Sequence, residues 1–314
     1  MFRIVSTRIA QALPVMLIVA ILTFFLMHML PGDPAVIIAG DQAGPEAIEA
    51  IRSSLGLDKP LLEQLWTWLR HLAQGNFGES LILNQPVLSA VRERLPVTLS
   101  LAAVAFAITL PIGIGLGIVA AYWRNSWLDS AVMGFALLGV SVPNFWIATL
   151  SVILFSVNLG WLPSAGYVPL EDGFGAWLAA LIQPAVVLAL FQIGFLARMT
   201  RSEMLEILDQ DYVRTARAKG VSEYLTVAKH AFRNTLVSVV TVGGYILSLL
   251  IGGSVVVEQV FALPGIGRLL VQAIMARDYP TVQGTMLLLG FAFVLVNVVI
   301  DLIYTFLDPR VRYD

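Results

Sequence analysis

Apolar positions in this chain run in long unbroken stretches rather than in the short periodic clusters of a domain with one wet face. A helix needs about 20 consecutive apolar residues to cross ~30 Å of hydrocarbon. Six stretches free of Asp, Glu, Lys and Arg meet that demand: 9–30, 95–123, 130–170, 173–197, 234–257 and 279–300. The third is long enough for two helices, but Asn158, Gly160, Pro163, Ser164 and Gly166 break its second half. One span from 130 to 158, followed by a loop, is the simpler reading. The pattern predicts an all-α integral membrane protein with six transmembrane helices.

Charge sets the expected orientation, because Lys and Arg collect in short loops on the cytoplasmic side. Seven of the 19 basic residues lie in 198–233. With both termini inside, that loop falls inside together with Arg3, Arg8, Arg124, Arg310 and Arg312, while the short outer loops hold only Arg268 and Arg277. The first stretch follows a basic N-terminus like a signal peptide. It is longer than the roughly 7–15 apolar residues of a cleavable one, and no small-x-small site follows it, so a retained anchor in a bacterial-type inner membrane is expected. The chain then divides into a cytoplasmic N-terminus with the first helix (1–30), an extracytoplasmic segment (31–94), a five-helix core (95–307) with an inner loop at 198–233, and a cytoplasmic tail (308–314).

Composition agrees: 58% apolar and 13% charged, with mean hydropathy +0.83, against about 25% charged in ordinary soluble domains. A net charge of −2 and a pI near 5.9 supply no basic field for nucleic acid. Zero cysteines remove disulfides, thiol chemistry and Cys-ligated metals, and His28, His71 and His230 are too scattered for a metal site, so no metal and no cofactor are expected.

Between the spans, 31–94 has soluble composition and forms a small cap. Ile48, Ile51 and Leu55, then Leu61, Leu65, Trp68 and Leu72, recur at helical spacing and predict two short amphipathic helices at 45–55 and 60–72, packed on the outer ends of the bundle. In the inner loop, the run from Arg201 to Lys219 continues helically out of the membrane. Gly220 stands where a left-handed cap would stop it, and Ser222 can cap a second helix running to His230. Helix, glycine elbow and helix make a knob, whose small residues Ala216, Ala218 and Gly220 flanked by cations suit insertion into another protein's groove.

No Asp, Glu, Lys or Arg stands at bilayer depth: Glu258 is at the outer end of the fifth span and Asp301 at the inner end of the sixth. Ion-coupled carriers place ionisable residues near the midplane, so coupling to an ion gradient is disfavoured. The chain also lacks a GxxxxGK[ST] phosphate cradle and the GxSxG and HExxH motifs, leaving neither an energy source nor a hydrolytic site. What interrupts the spans is polar or flexible: Ser141, Pro143 and Asn144 in the third, Gln183, Pro184 and Gln192 in the fourth, Gly252, Gly253 and Ser254 in the fifth. Those of the third and fifth suit the lining of a path, and Gly113 with Gly117 reads as helix packing. A translocation subunit powered from outside itself fits all of this.

Motifs in fixed order then carry a resemblance: LPGDP (30–34), LGLDKP (55–60), GNFGES (75–80), GVSVPNFW (139–146), RTARAKG (214–220), HAFRN (230–234), ALPGIGRLL (262–270), RDYP (277–280) and DPRVR (308–312). The chain resembles, over essentially its whole length, inner-membrane permease subunits of binding-protein-dependent ABC importers of the dipeptide, oligopeptide and nickel branch. The resemblance implies a MetI-like permease bundle, a heterodimer with a second related permease, two ATP-binding subunits inside, a periplasmic solute-binding protein outside, and alternating access. It also implies that 214–233 couples to the ATPase, with Arg214, Thr215, Ala216, Ala218, Gly220, His230 and Arg233 as its residues. Of the wider family's Glu-Ala-Ala-x3-Gly-x9-Ile-x-Leu-Pro loop only Ala216 and Gly220 match, as in the peptide branch. The expected path residues are Ser141, Pro143, Asn144, Gly252, Gly253 and Ser254. Short peptides are the expected cargo and nickel the runner-up, since NFW (144–146) and LPSAGY (162–167) also resemble nickel permeases. Glutathione stays open, and an ion-coupled carrier or a membrane enzyme or scaffold are the alternatives of other classes.

Overall fold

The computed structural model describes residues 2–29, 33–39, 43–54 and 56–307, and the described residues are mostly helical. The tail 308–314, with Arg310, Arg312 and the DPRVR motif, lies outside them. Among the described residues no strand forms, and a single isolated bridge pairs Glu79 with Pro86.

Five helices are long and apolar enough to span: α1 (Phe2–Met29, apolar over Ala10–Met29), α5 (Val87–Tyr122), α8 (Phe174–Leu208), α11 (Phe232–Val260) and α13 (Tyr279–Leu307, apolar over Tyr279–Ile300). The predicted third span is instead a bent pair, α6 (Trp127–Ser141) and α7 (Asn144–Ser151), the latter continued by a π-helical turn Val152–Asn158; the axes differ by 98°. Counted as one span, the pair makes six. Its bend follows from Pro143, which brings no N–H and pushes the residue before it out of helix: Val142 is extended at φ −90°, ψ 128°.

The amphipathic cap helices form close to the predicted bounds, as α3 (Pro45–Ser54) and α4 (Leu61–Ala73), preceded by a short α2 (Pro34–Ala39). A further short helix, α12 (Ile266–Met275), sits in the loop before α13, where hydropathy signalled no span. The basic loop at 198–233 departs more. The helix leaving the fourth span ends at Leu208, and a separate α9 (Asp211–Ala218) begins after Gln210. The one-turn α10 (Glu223–Leu225) and a π-helical turn Thr226–Ala231 then lead straight into α11, so the second helix of the knob is the entry of the fifth span.

The described residues form two compact units, one drawn from 2–96 and 264–295 and one from 97–263 and 296–307. These cut across divisions drawn along the sequence. In the first unit, Met27 packs with Leu270, Ala273, Tyr279 and Val282, while Val87, Ala90 and Val91 pack with Ile266 and Leu269. Two of the ordered motifs meet at a buried carboxylate: Asp278 of RDYP accepts from the hydroxyls of Ser80, in GNFGES, at 2.5 Å and of Thr281 at 2.8 Å. Asp33 accepts the backbone N–H of Ala35 at 2.9 Å and pairs with Arg52, and the guanidinium holds its carboxyl below the ordinary aspartate range.

A lowered folded pKa means that the Asp33 contribution is present above the unfolded value, about 3.9, and fades as pH falls through the lower folded one. Amide exchange across α2 and α3 is therefore expected to stay flat from pH 7 to about 4, after correction for intrinsic rates, and to rise below it. Asp33→Asn should exchange faster at neutrality and lose that step; an unchanged profile would mean the pair holds nothing.

In the second unit α8 is central, packed against α6, α7 and α11. Its crossing with α5 is made by the predicted glycine pair: a Cβ on Gly113 would stand 2.9 Å from Leu196 Cβ, and one on Gly117 would stand 2.5 Å from Thr200 Cβ and 2.7 Å from the Ala197 carbonyl oxygen. Small residues here let two backbones approach.

Candidate functional site

The knob is built as an elbow. The N–H of Gly220 bonds to the Arg217 carbonyl at 2.9 Å and that of Val221 to the Ala216 carbonyl at 3.2 Å, the paired closure of a Schellman cap. Gly220 itself sits at φ +80°, where a side chain is strained. Ser222 then caps α10, its hydroxyl accepting from the Leu225 N–H. Across the elbow Arg217 grips Glu223 with two bonds, of 3.0 and 2.6 Å, and the carboxylate raises the guanidinium pKa further. Only the fold shows that the partner of Arg217 is Glu223.

Beneath the elbow lies a small apolar core. Val213 of α9 is fully buried with Met204 and Leu208 of α8, Val227 and Ala231 beyond the turn, and Ala121 of α5. Ala216 is 9% exposed, so it seats α9 rather than facing outward, and the outer small-residue surface reduces to Ala218 and Gly220. Arg214, Thr215 and Arg233 are exposed, and the side chain of His230 lies outside the described residues. Tyr212, Tyr224 and Leu225 add exposed apolar area that the motif did not flag; Tyr212 also accepts from Asn234 at 2.9 Å, tying α9 to the start of α11.

A bidentate ion pair fixes the neighbouring helix ends. Arg201 of α8 donates from Nε and Nη2 to the two carboxylate oxygens of Asp129 in α6, both at 2.6 Å, and the Asn125 N–H adds a third bond at 3.0 Å. The Asp129 side chain is 7% exposed and that of Arg201 24%.

The residues expected along a path fall on the bend and on α11. Ser141 and Pro143 are exposed at the α6–α7 break and Asn144 is half-buried at the start of α7. The Ser141 hydroxyl donates to its own helix, at the Leu137 carbonyl. Gln183 of α8 braces the second arm, accepting from Ser156 at 3.0 Å and donating to Ser151 at 3.1 Å. On α11, Gly252 and Gly253 are exposed, whereas Ser254 is buried and donates to Glu258 at 2.9 Å. Glu258 is itself fully buried and accepts from Thr98 of α5 at 2.8 Å. Reading Glu258 only as a span end missed this; its four-residue spacing from Ser254 was the available signal. Among the described residues no group of three His, Asp or Glu could hold a metal ion.

The described residues thus form a helical bundle with an elbow on one connection and a broken span, and comparison with known proteins gives its class. The model of the family "Binding-protein-dependent transport system inner membrane component" matches residues 113–313, and that of its N-terminal region matches 1–102. The chain belongs to this family: it is a multi-pass inner-membrane permease of an ABC importer. A Brucella abortus (strain 2308) protein, named provisionally as a peptide transport system permease protein, is 67% identical over 314 residues, all of both chains. The glutathione transport system permease protein GsiC of Salmonella typhimurium (strain LT2) is 42% identical over 313 residues, again with full coverage of both. In fold, the chain is similar to a structure of the inward-facing MetNI methionine ABC transporter, with a TM-score of 0.59 at 21% identity, covering 70% of this chain and 97% of that one.

Proposed function

We propose that this chain is one of two related permease subunits of an importer of short peptides. Separate ATP-binding subunits dock at Arg214–Arg233, a solute-binding protein delivers cargo on the opposite face, and both termini are cytoplasmic. The observation that carries the cargo assignment is full-length identity of 67% to a relative named for peptide transport. Glutathione is the second reading, favoured by the 42% identical relative named for it, and glutathione is itself a small peptide. The chain hydrolyses nothing in this scheme; ATP is consumed by the partners. The charge pattern and the exposed elbow support the orientation and the docking.

Alternating access asks for an element that can change angle without unfolding, and the break at Val142–Pro143 already interrupts the backbone ladder. Ser141, Pro143, Asn144, Gly252 and Gly253 are assigned to the path, and Ser254 serves it by holding Glu258. The test is uptake of a labelled dipeptide and of labelled glutathione in cells lacking only this gene, with nickel accumulation measured alongside. Loss of dipeptide uptake supports the assignment, loss of glutathione uptake alone favours the second reading, and loss of nickel alone overturns both. Bulky replacements at Asn144 and Gly252 should lower the rate; unchanged rates would remove them from the path.

The elbow makes a separate prediction. A Cβ on Gly220 meets nothing within 4 Å, so Gly220→Val costs only the left-handed backbone, about 1–2 kcal/mol and more for a β-branched residue. Substrate-stimulated ATP hydrolysis by the assembled importer should fall severalfold while the amount of inserted chain stays near wild type. Equal loss of inserted chain would make Gly220 a folding residue only.

A further inference from the structure

We infer that α4 lies in the membrane–water interface and presents a second apolar face to lipid. The helix has three sectors. One is packed inward: the His28 ring at the end of α1 meets Gln64 Oε1 at 3.1 Å, and Trp68 stacks on Phe24 at 5.9 Å between centroids. A second sector is polar and exposed, made by Glu63, Thr67, Arg70 and His71. Between them, Leu62, Trp66, Leu69 and Ala73 follow at i, i+4, i+7 and i+11, so they form one stripe along the helix. Leu62 is 74% and Trp66 70% exposed, Ala73 is exposed and Leu69 half-buried. An ordinary cap helix hides one apolar sector; this one hides one and leaves another bare.

Lipid is the occupant that the placement favours. Phe24 and His28, to which α4 is fastened, are in the last two turns of an apolar span that ends at Met29. α4 is thus held where hydrocarbon gives way to headgroups. α1 carries its own exposed apolar row to that same end, with Ile18 56%, Leu22 56%, Leu26 57% and Met29 78% exposed. The chemistry of the stripe fits the same depth: tryptophan is enriched in interfacial belts, and Arg70, next to Trp66 around the helix, suits anionic headgroups. Burying the stripe in the interface while Glu63 and Arg70 stay wet satisfies all three sectors at once.

This chain has no cysteine, so an introduced one is its single thiol, and labelling is read on this subunit after the subunits are separated. Trp66→Cys, Leu62→Cys and, on the polar sector, Thr67→Cys would be placed in the membrane-extracted importer with its copurifying subunits, in nanodiscs whose two faces are both open to reagent. A charged maleimide should label the Thr67→Cys variant readily and the Trp66→Cys and Leu62→Cys variants at least about tenfold more slowly, as expected for a buried apolar face. Bimane attached at 66 or 62 should be quenched by phosphatidylcholine bearing a nitroxide near its headgroup. Fast labelling at all three positions would put the stripe in water and overturn the inference. Slow labelling without lipid quenching would put a protein subunit on it and overturn it equally. Leu62→Cys reads the same stripe if the tryptophan replacement lowers folded protein.

Discussion

Gly117→Val is expected to leave little folded protein after mild heating in detergent. The new side chain would start 2.5 Å from Thr200 Cβ and 2.7 Å from the Ala197 carbonyl oxygen, distances no Cβ tolerates, and the second obstacle is backbone. Neither α5 nor α8 can yield locally, because α8 is packed against α6, α7 and α11. The helices must part, which undoes contacts along the whole crossing. Overpacking a core costs about 1–3 kcal/mol where side chains can adjust, and here the cost should reach or pass the upper end. Gly115→Val is the control: a Cβ there meets nothing within 4 Å, so the same residue on the same helix should behave nearly as wild type. The monodisperse fraction after a temperature ramp, read by size-exclusion fluorescence, decides it. Equal losses in the two variants would point to helix propensity and away from the crossing.

The second large effect is expected at Asp129→Ala. It removes both bonds to the Arg201 guanidinium and the one from the Asn125 N–H, and strands a cation three-quarters shielded from solvent between α6 and α8. Breaking a buried pair from one side costs about 3–5 kcal/mol; partial access to solvent at Arg201 brings the expectation to about 2–3. The penalty comes from the charge left behind rather than from the pair's net worth. Removing both partners, as Asp129→Ala with Arg201→Met, should therefore recover much of the loss. A double-mutant cycle on thermal stability measures this, and simple additivity would show that the two groups do not act together. The pair fixes α6 beside the helix that leads into the elbow, so coupled ATP hydrolysis in these variants should fall in the order of their stabilities.

What was legible in the sequence follows from signals that are local along the chain. Apolar run length located five spanning helices, because solvation by lipid is counted residue by residue and needs no partner. Caps were legible for the same reason: Gly220 and Ser222 satisfy backbone groups within a few residues of themselves, and both do so as read. The GxxxG spacing at Gly113 announced a close crossing, though not which helix it would meet. The ordered motifs carried the family.

The tertiary structure decided whatever depends on residues far apart. Hydropathy could not separate a straight third span from one bent by 98°, because both arms are equally apolar and only the path of the backbone around Pro143 differs. Ala216 read as surface and is buried, since its neighbours Val213, Met204 and Leu208 come together only once α9 folds back on α8. Glu258 with Thr98, Asp278 with Ser80 and Asp129 with Arg201 each join side chains 72 to 198 residues apart. Such buried polar groups leave no periodic trace, because burial demands only that each finds a partner and the fold alone determines which. The sequence thus determined that the chain crosses a membrane and that its basic loop turns at Gly220; the packed structure determined the bend at Pro143 and which faces the helices bring together.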